Sequence, residues 1–481
     1  MHYILRWMPG LMLGAGLAGC SVGPDYQKPT VETPPAYTEK GQQFGEWKQA
    51  VPQDALAKGK WWELYGDRQL DELQERASAN NQNLKAAVAR VDQARAIARV
   101  ARSQFLPTLD LNGGGSEFRQ SANRPVASGS NTDFTSSDTQ LTLDLGYELD
   151  IWGRVRRSVE AAKADVQVSV AEFETVRLTL HADVAQNYFS LRSADAELVI
   201  LRDTLELRQK ALDLIRIRFK GGISNDLEVA QSETLVANAE SELAAVQRRR
   251  AELSHALAVL LGATPESFKL AENPLTGLPP VIPVGLPSEL LERRPDVSEA
   301  ERTMAAANAR IGVAKAAFFP VVKLTGSAGF ESVDLGSLFN WPSRLWSVGP
   351  SISLPIFNGG QNAANLSRAE AVYLETVAQY RGQVLQAFRE VEDGLSGLHY
   401  LSRQSEALAR AVNASQRAFS LSNRRYTDGL VSYLDVVDAQ RSALENQRAA
   451  AQNLAQRYIT HVLLIKALGG GWAGPSPAPS S

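Results

Sequence analysis

A chain of 481 residues exceeds what one ordinary hydrophobic core accommodates, so two domains or a duplicated unit are expected. Its formal charge of −3 lacks the basic surplus of a general nucleic-acid binder, and no apolar run approaches the ~20 residues that a membrane-spanning helix needs. Five scattered histidines and one cysteine offer no zinc or redox site, so no metal and no cofactor are expected.

Residues 1–19 read as a signal peptide: Arg6 near the start, an apolar stretch, then small residues. Residues 17–20, "LAGC", resemble a bacterial lipobox, which makes the thiol of Cys20 the expected lipidation site. In that class of lipoproteins Ser21, rather than Asp, after the cysteine implies sorting to the outer membrane. Several acyl chains on one cysteine form a lasting anchor where a single chain does not. Loss of Arg6 with the signal takes the net charge to −4. The G-x-G-x-x-G within "GAGLAG" carries no nucleotide-binding expectation, because no strand–helix unit follows it and the segment is cleaved away. A lipidated arm over 20–75 opens with the Pro-rich "VGPDYQKPTVETPP", expected to run extended, with Trp61, Trp62, Leu64 and Leu70 offered as its anchors.

The remainder divides into a first repeat over 76–262, a Pro-rich linker over 263–292, a second repeat over 293–468 and a Gly/Pro/Ser-rich tail over 469–481 that is expected to be disordered. Each repeat begins with a helix that stops at a proline, Pro107 or Pro320, and each proline opens two strand-like segments. Leu141, Leu143, Leu145, Tyr147 and Leu149 alternate with Thr142, Asp144, Gly146 and Glu148; Leu109 and Leu111 do the same against Asp110 and Asn112. In the second repeat Val322, Leu324, Ala328 and Phe330 alternate with polar residues, as do Trp346, Val348, Ile352 and Leu354. A period of two gives one apolar and one wet face, as in a half-buried soluble sheet or in the transmembrane strands of an outer-membrane barrel. The sorting signal expected at Ser21 and four like strands favour the barrel.

Long helices follow. From Val155 to Phe219 no Pro or Gly interrupts a three-and-four spacing of apolar residues, and at ~1.5 Å per residue such a helix reaches roughly 100 Å. The second repeat matches it from Gln361 to Tyr426, with Gly382, Gly394 and Gly397 as candidate bends. Helices of that length bury their apolar stripes only by packing lengthwise against other long helices. Each ends in a near-copy of one corner: "RFKGGISNDLEV" from Arg218 and "RYTDGLVSYLDV" from Arg425, a shift of 207 positions. Gly222 and Gly429 supply the positive φ that ends the ascending helix, and Ser224, Asn225 and Ser432 are candidate caps of a shorter returning one. The helices before Pro107 and Pro320 have about the length that the returning helices lack, and are expected to stack on them end to end.

Four strands cannot close on themselves, and an open edge in lipid leaves backbone groups unpaired, so spanning strands require an oligomer, a dimer or a trimer by geometry. The lipobox, "WW" near the arm, "ELDIWGRVR" and "PIFNGG" after the strands, "RRPDV" at the second repeat and the twin corner occur in one order over essentially the whole mature chain. Together they resemble the outer membrane factor family, TolC-like ducts, in its lipoprotein (NodT) subgroup. The resemblance implies a mainly α, α+β fold: a long α-helical coiled-coil barrel with four transmembrane β-strands per protomer. It implies a homotrimer with twelve strands in one barrel and twelve helices in one tunnel, docked on a periplasmic adaptor and an inner-membrane efflux pump of the RND type. The implied function is passive, gated export of drugs or small solutes, with no enzymatic step and no nucleic-acid partner. An exit duct for protein secretion shares the fold, and a lipid-anchored periplasmic helical scaffold is the alternative of another class.

In such ducts the helix corners close the periplasmic end. Carried over by position, Tyr426 and Asp435 fall on gate positions of the second corner and Glu228 on the acidic position of the first. Asp438 lies at i+3 from Asp435 on the same helix face, and rings of such acids attract cations. Val431 stands where an Arg is expected to bond across the constriction, with Arg424 and Arg425 as candidate substitutes. The alternative for these acids is a solvated or helix-capping role.

Overall fold

A computed structural model describes residues 21–30, 59–119, 135–280 and 293–470. The signal segment, the lipidation expected at Cys20 and most of the tail lie outside them. Two compact units emerge: the described parts of 1–29, 92–168 and 300–380 form the first, those of 30–91, 169–299 and 381–481 the second. Each unit therefore takes segments from both sequence repeats.

The elements run α1 (Arg68–Asn80), α2 (Gln82–Ser103), β1 (Thr108–Arg119), β2 (Thr135–Leu149), α3 (Arg154–Lys220), α4 (Asp226–Leu260), α5 (Pro295–Ala316), β3 (Val321–Ser332), β4 (Arg344–Ser353), α6 (Gln361–Thr427) and α7 (Tyr433–Ala467). The repeat is kept residue for residue: α3 and α6 are both 67 residues long and α4 and α7 both 35, at the same offset of 207. α6 runs through Gly382, Gly394 and Gly397 as one helix. Two of these glycines serve approach rather than bending, since a Cβ on Gly394 would lie 3.1 Å from Leu464 and one on Gly397 3.0 Å from Thr460.

In the first unit the strands form one antiparallel sheet in the order β1-β2-β3-β4. Its register puts Leu111, Leu143, Ala328 and Trp346 in one row and Leu109, Leu145, Gly326 and Val348 in the next, with Asp110, Asp144, Ser327 and Ser347 on the opposite face. Among the described residues nothing covers the apolar face: Leu111 is 70% exposed, Val348 68% and Trp346 74%. A half-buried soluble sheet would show the reverse, so an apolar surrounding is the environment this face fits. β1 pairs only with β2 and β4 only with β3, which leaves two sheet edges with unpaired backbone groups.

The segment 148–157 turns strand into helix. Arg154 binds the Glu148 carboxylate through two bonds of 2.7 and 2.9 Å, and Asp150 accepts from the N–H groups of Val155 and Arg156, both at 2.9 Å. An acid there satisfies the orphan donors of the new helix. Trp152 stacks on Phe319 and donates to the Pro320 carbonyl at 2.8 Å, tying this turn to the foot of β3. The described start of the arm is fastened beside it: Val22 N–H donates to Trp152 O at 3.0 Å, Arg157 reaches Asp25 at 2.7 Å and Tyr26 donates to Glu301 at 2.9 Å.

Trp61 and Trp62 do not anchor these arm residues. They lie in the core of the second unit, in one cluster with Leu70, Leu84, Tyr188, Phe189 and Leu257, while Leu64 is exposed. The stacking expected of the short helices is present there as shared caps. Asn81 accepts from the Leu84 N–H of α2 at 3.0 Å and donates to the last carbonyl of α4, Leu260, at 2.9 Å. Arg294 does the corresponding work for α7 by donating to Ala467 O at 3.0 Å while bound to Asp296 and Glu390. At the first joint one side chain thus satisfies orphan groups of two abutting helix ends; at the second, Arg294 meets the carbonyl end while Asp296 accepts the Val297 N–H at 3.0 Å. The beginning of the linker is laced down by buried charge: Asp195 accepts from Arg192, Arg250 and the Asn273 N–H, and the two arginines also hold the carbonyls of Ala271 and Leu270. These bonds offset much of the desolvation of such a network.

Two buried imidazoles complete this core in their neutral form. His461 donates through Nε2 to Pro280 O at 2.6 Å and accepts the Tyr65 hydroxyl at Nδ1 at 2.7 Å; His181 contacts Gln74 Oε1 at 2.6 Å. Burial lowers both pKa values to about 4, with the charge of Arg177 adding to the effect on His181. A folded-state value below the ordinary ~6.5 gives stability that is complete above pH 6.5 and lost as pH falls toward 4, up to roughly 3 kcal/mol for each ring. Thermal unfolding of the detergent-solubilised protein is therefore expected to weaken more between pH 6.5 and 4 than that of a His181→Gln/His461→Gln variant; equal acid limbs would refute the assignment.

Candidate functional site

The two corners lie together in the second unit. Each ascending helix stops in the same backbone motif: Ile223 N–H returns to Arg218 O at 2.9 Å and Gly222 N–H to Phe219 O at 3.0 Å, while Leu430 N–H returns to Arg425 O at 2.8 Å and Gly429 N–H to Tyr426 O at 3.0 Å. The motif needs a left-handed residue, and Gly222 (φ 73°) and Gly429 (φ 76°) supply it where a Cβ would be strained. The last helical carbonyls are thus satisfied and the chain can turn back at once.

The caps of the returning helices differ. Asn225 accepts from the Glu228 N–H at 3.0 Å and so caps α4. At α7 the Asp435 carboxylate turns back on Ser432, accepting its N–H at 3.0 Å and its hydroxyl at 2.7 Å. These two bonds hold the Asp435 carboxyl below the usual carboxylate range. Asp438 pairs with Arg441 on its own helix at 2.9 Å. Within one chain, then, both second-corner acids are engaged by their own helix.

Glu228 is engaged across the corners. Its Oε2 accepts from Ser224 Oγ at 2.5 Å and from the Tyr426 hydroxyl at 3.2 Å, a bond between residues 198 apart in sequence. The Tyr426 ring packs with Ile215, Tyr433 and Val436 in a small apolar cluster, against which Val431 also rests. Burial, reinforced by the Glu228 charge, raises the Tyr426 phenol above its ordinary pKa, so it stays a donor. A second cross-corner bond runs from the Tyr433 hydroxyl to Ser232 Oγ at 3.2 Å. The cation against Tyr426 is Arg218, whose guanidinium carbon lies 4.9 Å from the ring centroid. Val431 therefore serves apolar packing.

Of the residues singled out by sequence, the fold brings Glu228 and Tyr426 together and places Gly222 and Gly429 at the turns, while Asp435 and Asp438 stand beside this contact. Sequence reasoning missed Arg218, Ser224, Ser232 and Tyr433 as contributors. The available signal was the offset of 207, which aligns Arg218 with Arg425 and Ser224 with Val431. Among the described residues no cluster of His, Cys, Asp or Glu has the makings of a metal site. The arrangement can hold two hairpins together through a few buried and part-buried hydrogen bonds, which is a mechanical task. Asp435→Ala is expected to speed amide exchange over the first turn of α7 about fivefold, with Asn225→Ala doing the same for α4, as loss of a cap predicts. Unchanged exchange in both would contradict the capping roles.

The sequence profile of the family described as "Outer membrane efflux protein" matches residues 73–263 and 286–470. Outer membrane protein OprJ of Pseudomonas aeruginosa is 36% identical over 467 residues, 96% of this chain and 95% of its own length. The solvent efflux pump outer membrane protein SrpC of Pseudomonas putida is 37% identical over 469 residues, 96% of this chain and 97% of its own length. Among solved structures, the outer-membrane channel OprN is similar with a TM-score of 0.83 at 30% identity, over 94% of this chain and 100% of that one.

Proposed function

The chain belongs to the outer membrane efflux protein family, and from that premise we propose that it is the outer-membrane duct of a tripartite efflux system. It carries drugs or small solutes outward from a periplasmic adaptor and an inner-membrane pump, of the RND type, and performs no covalent chemistry itself. The observation that carries this reading is the four-stranded sheet with one bare apolar face and two open edges. A face of that kind fits hydrocarbon, and an open edge there leaves donors and acceptors unpaired at several kcal/mol each. Edge-to-edge pairing of three copies gives twelve strands, above the ~8 of the smallest single-chain barrels. The same threefold symmetry gathers the four long helices of each copy into one tunnel of twelve. The acyl chains on Cys20 hold the arm at the inner face of the outer membrane.

The periplasmic end of that tunnel is the gate. Glu228 and Tyr426 form its lock, and Asp435 and Asp438, held by their own helix, place carboxylates around the mouth. Export requires the corners to part, and the Tyr426–Glu228 bond is the contact between them that opening breaks.

Two measurements test this. Leu143→Arg, on the bare face, is expected to lower the yield of membrane-inserted protein, as a cost of ~2–4 kcal/mol at the bilayer midplane implies, whereas Ser347→Arg on the wet face leaves insertion near wild type. Equal tolerance of both would remove the membrane reading. The purified lipoprotein is further expected to sediment as a trimer and to give low conductance in planar bilayers that Glu228→Gln raises; a monomer that forms no pore in any variant would point to a periplasmic scaffold.

A further inference from the structure

Duplication supplies every chemical role at the corner twice, yet the two copies are used differently. Position 225 is Asn and 432 is Ser, 228 is Glu and 435 is Asp, 224 is Ser and 431 is Val, 219 is Phe and 426 is Tyr, each pair at the offset of 207. In the second corner the short Asp435 side chain folds back on Ser432 three residues away, a local bond that leaves its acceptor lone pairs at home. In the first corner the Asn225 amide oxygen takes over the cap, at 3.0 Å from the Glu228 N–H, which leaves the Glu228 carboxylate free. One methylene longer, and steadied by Ser224 Oγ at 2.5 Å, that carboxylate reaches the Tyr426 hydroxyl at 3.2 Å. The mirror-image bond cannot form, because Phe219 has no hydroxyl.

The remaining actor is Arg218. It stands in the last turn of α3, and its guanidinium lies 4.9 Å from the centroid of the Tyr426 ring, within cation–π range. The ring is thus addressed by the first corner twice: on its face by Arg218, at its hydroxyl by Glu228. A ring held on its face keeps its hydroxyl aimed at one acceptor.

We infer that the duplicated corner has diverged into an acceptor half and a donor half, with Asn225 freeing Glu228 from helix capping and Arg218 acting as the positioning residue that holds Tyr426 to it. This inference rests on the reading of the Tyr426–Glu228 contact as the gate lock. The corner thereby holds without an Arg at position 431, since the cation comes from the other repeat and acts on the ring rather than on a carboxylate.

Planar-bilayer recordings of the purified full-length protein test it, with melting temperature read in parallel for each variant. Arg218→Ala is expected to raise the open probability about two- to fivefold, the loss a cation–π contact implies, and Arg218→Lys to recover most of it. Asn225→Ser/Glu228→Asp gives the first corner the chemistry of the second, and is expected to open the channel as far as Tyr426→Phe does while α4 keeps its cap. Because Arg218 acts by aiming the Tyr426 hydroxyl, Arg218→Ala adds nothing to Tyr426→Phe. If Tyr426→Phe opens the channel but Arg218→Ala does not, or Asn225→Ser/Glu228→Asp stays closed, the division of labour is wrong and the gate reading stands. If Tyr426→Phe and Glu228→Gln both leave the current unchanged, the gate reading falls and takes this inference with it.

Discussion

The outer edges of β1 and β4 carry backbone donors and acceptors that no strand among the described residues meets. In water such edges invite aggregation; in hydrocarbon they are untenable unless another edge pairs with them. The bare Leu, Val and Trp rows on one face exclude water as the partner of that face, so the two constraints act together. They make assembly a condition of the fold. A subunit that satisfies its sheet only through its neighbours also places its long helices beside those neighbours, and a tunnel follows from the same symmetry.

Helices of 67 residues create the second constraint, since each needs a partner along its whole length. The returning helices have 35 residues, and the 22-residue α2 and α5 supply most of the remaining length. The joints are not covalent continuations, so each needs chemistry to satisfy two sets of orphan groups at one point. Asn81 provides it alone in the first repeat, and Arg294 with its bound Asp296 provides it in the second. The Gly-terminated corners at the other end face no such joint. They are closed by side-chain contacts, of Tyr426 with Glu228 and of Tyr433 with Ser232.

Repetition explains much of the sequence, and its exceptions explain the site. Where the repeats agree, as at Gly222 and Gly429, the residue serves the backbone. Where they differ, as at Asn225 and Ser432 or Phe219 and Tyr426, the difference decides which side chain is bound within its own helix and which is free to cross to the other hairpin. Glu228 and Asp435 look alike in sequence and do different work, because a methylene and a neighbouring amide change what each can reach.

Periods of two and of three to four, proline and glycine stops, and the offset of 207 were enough to place strands, helix lengths and corners, because these depend on local sterics and on which face of an element is apolar. The family resemblance, carried over by position, pointed to Glu228 and Tyr426 as gate positions of the two corners. Neither these signals nor the resemblance revealed that Trp61 and Trp62 belong to the core of the second unit, that Gly394 and Gly397 admit a neighbouring helix, or that Arg218 meets Tyr426. Those outcomes depend on which distant surfaces come within a few ångströms, and packing over 200 residues of intervening chain is decided only when the helices are laid side by side.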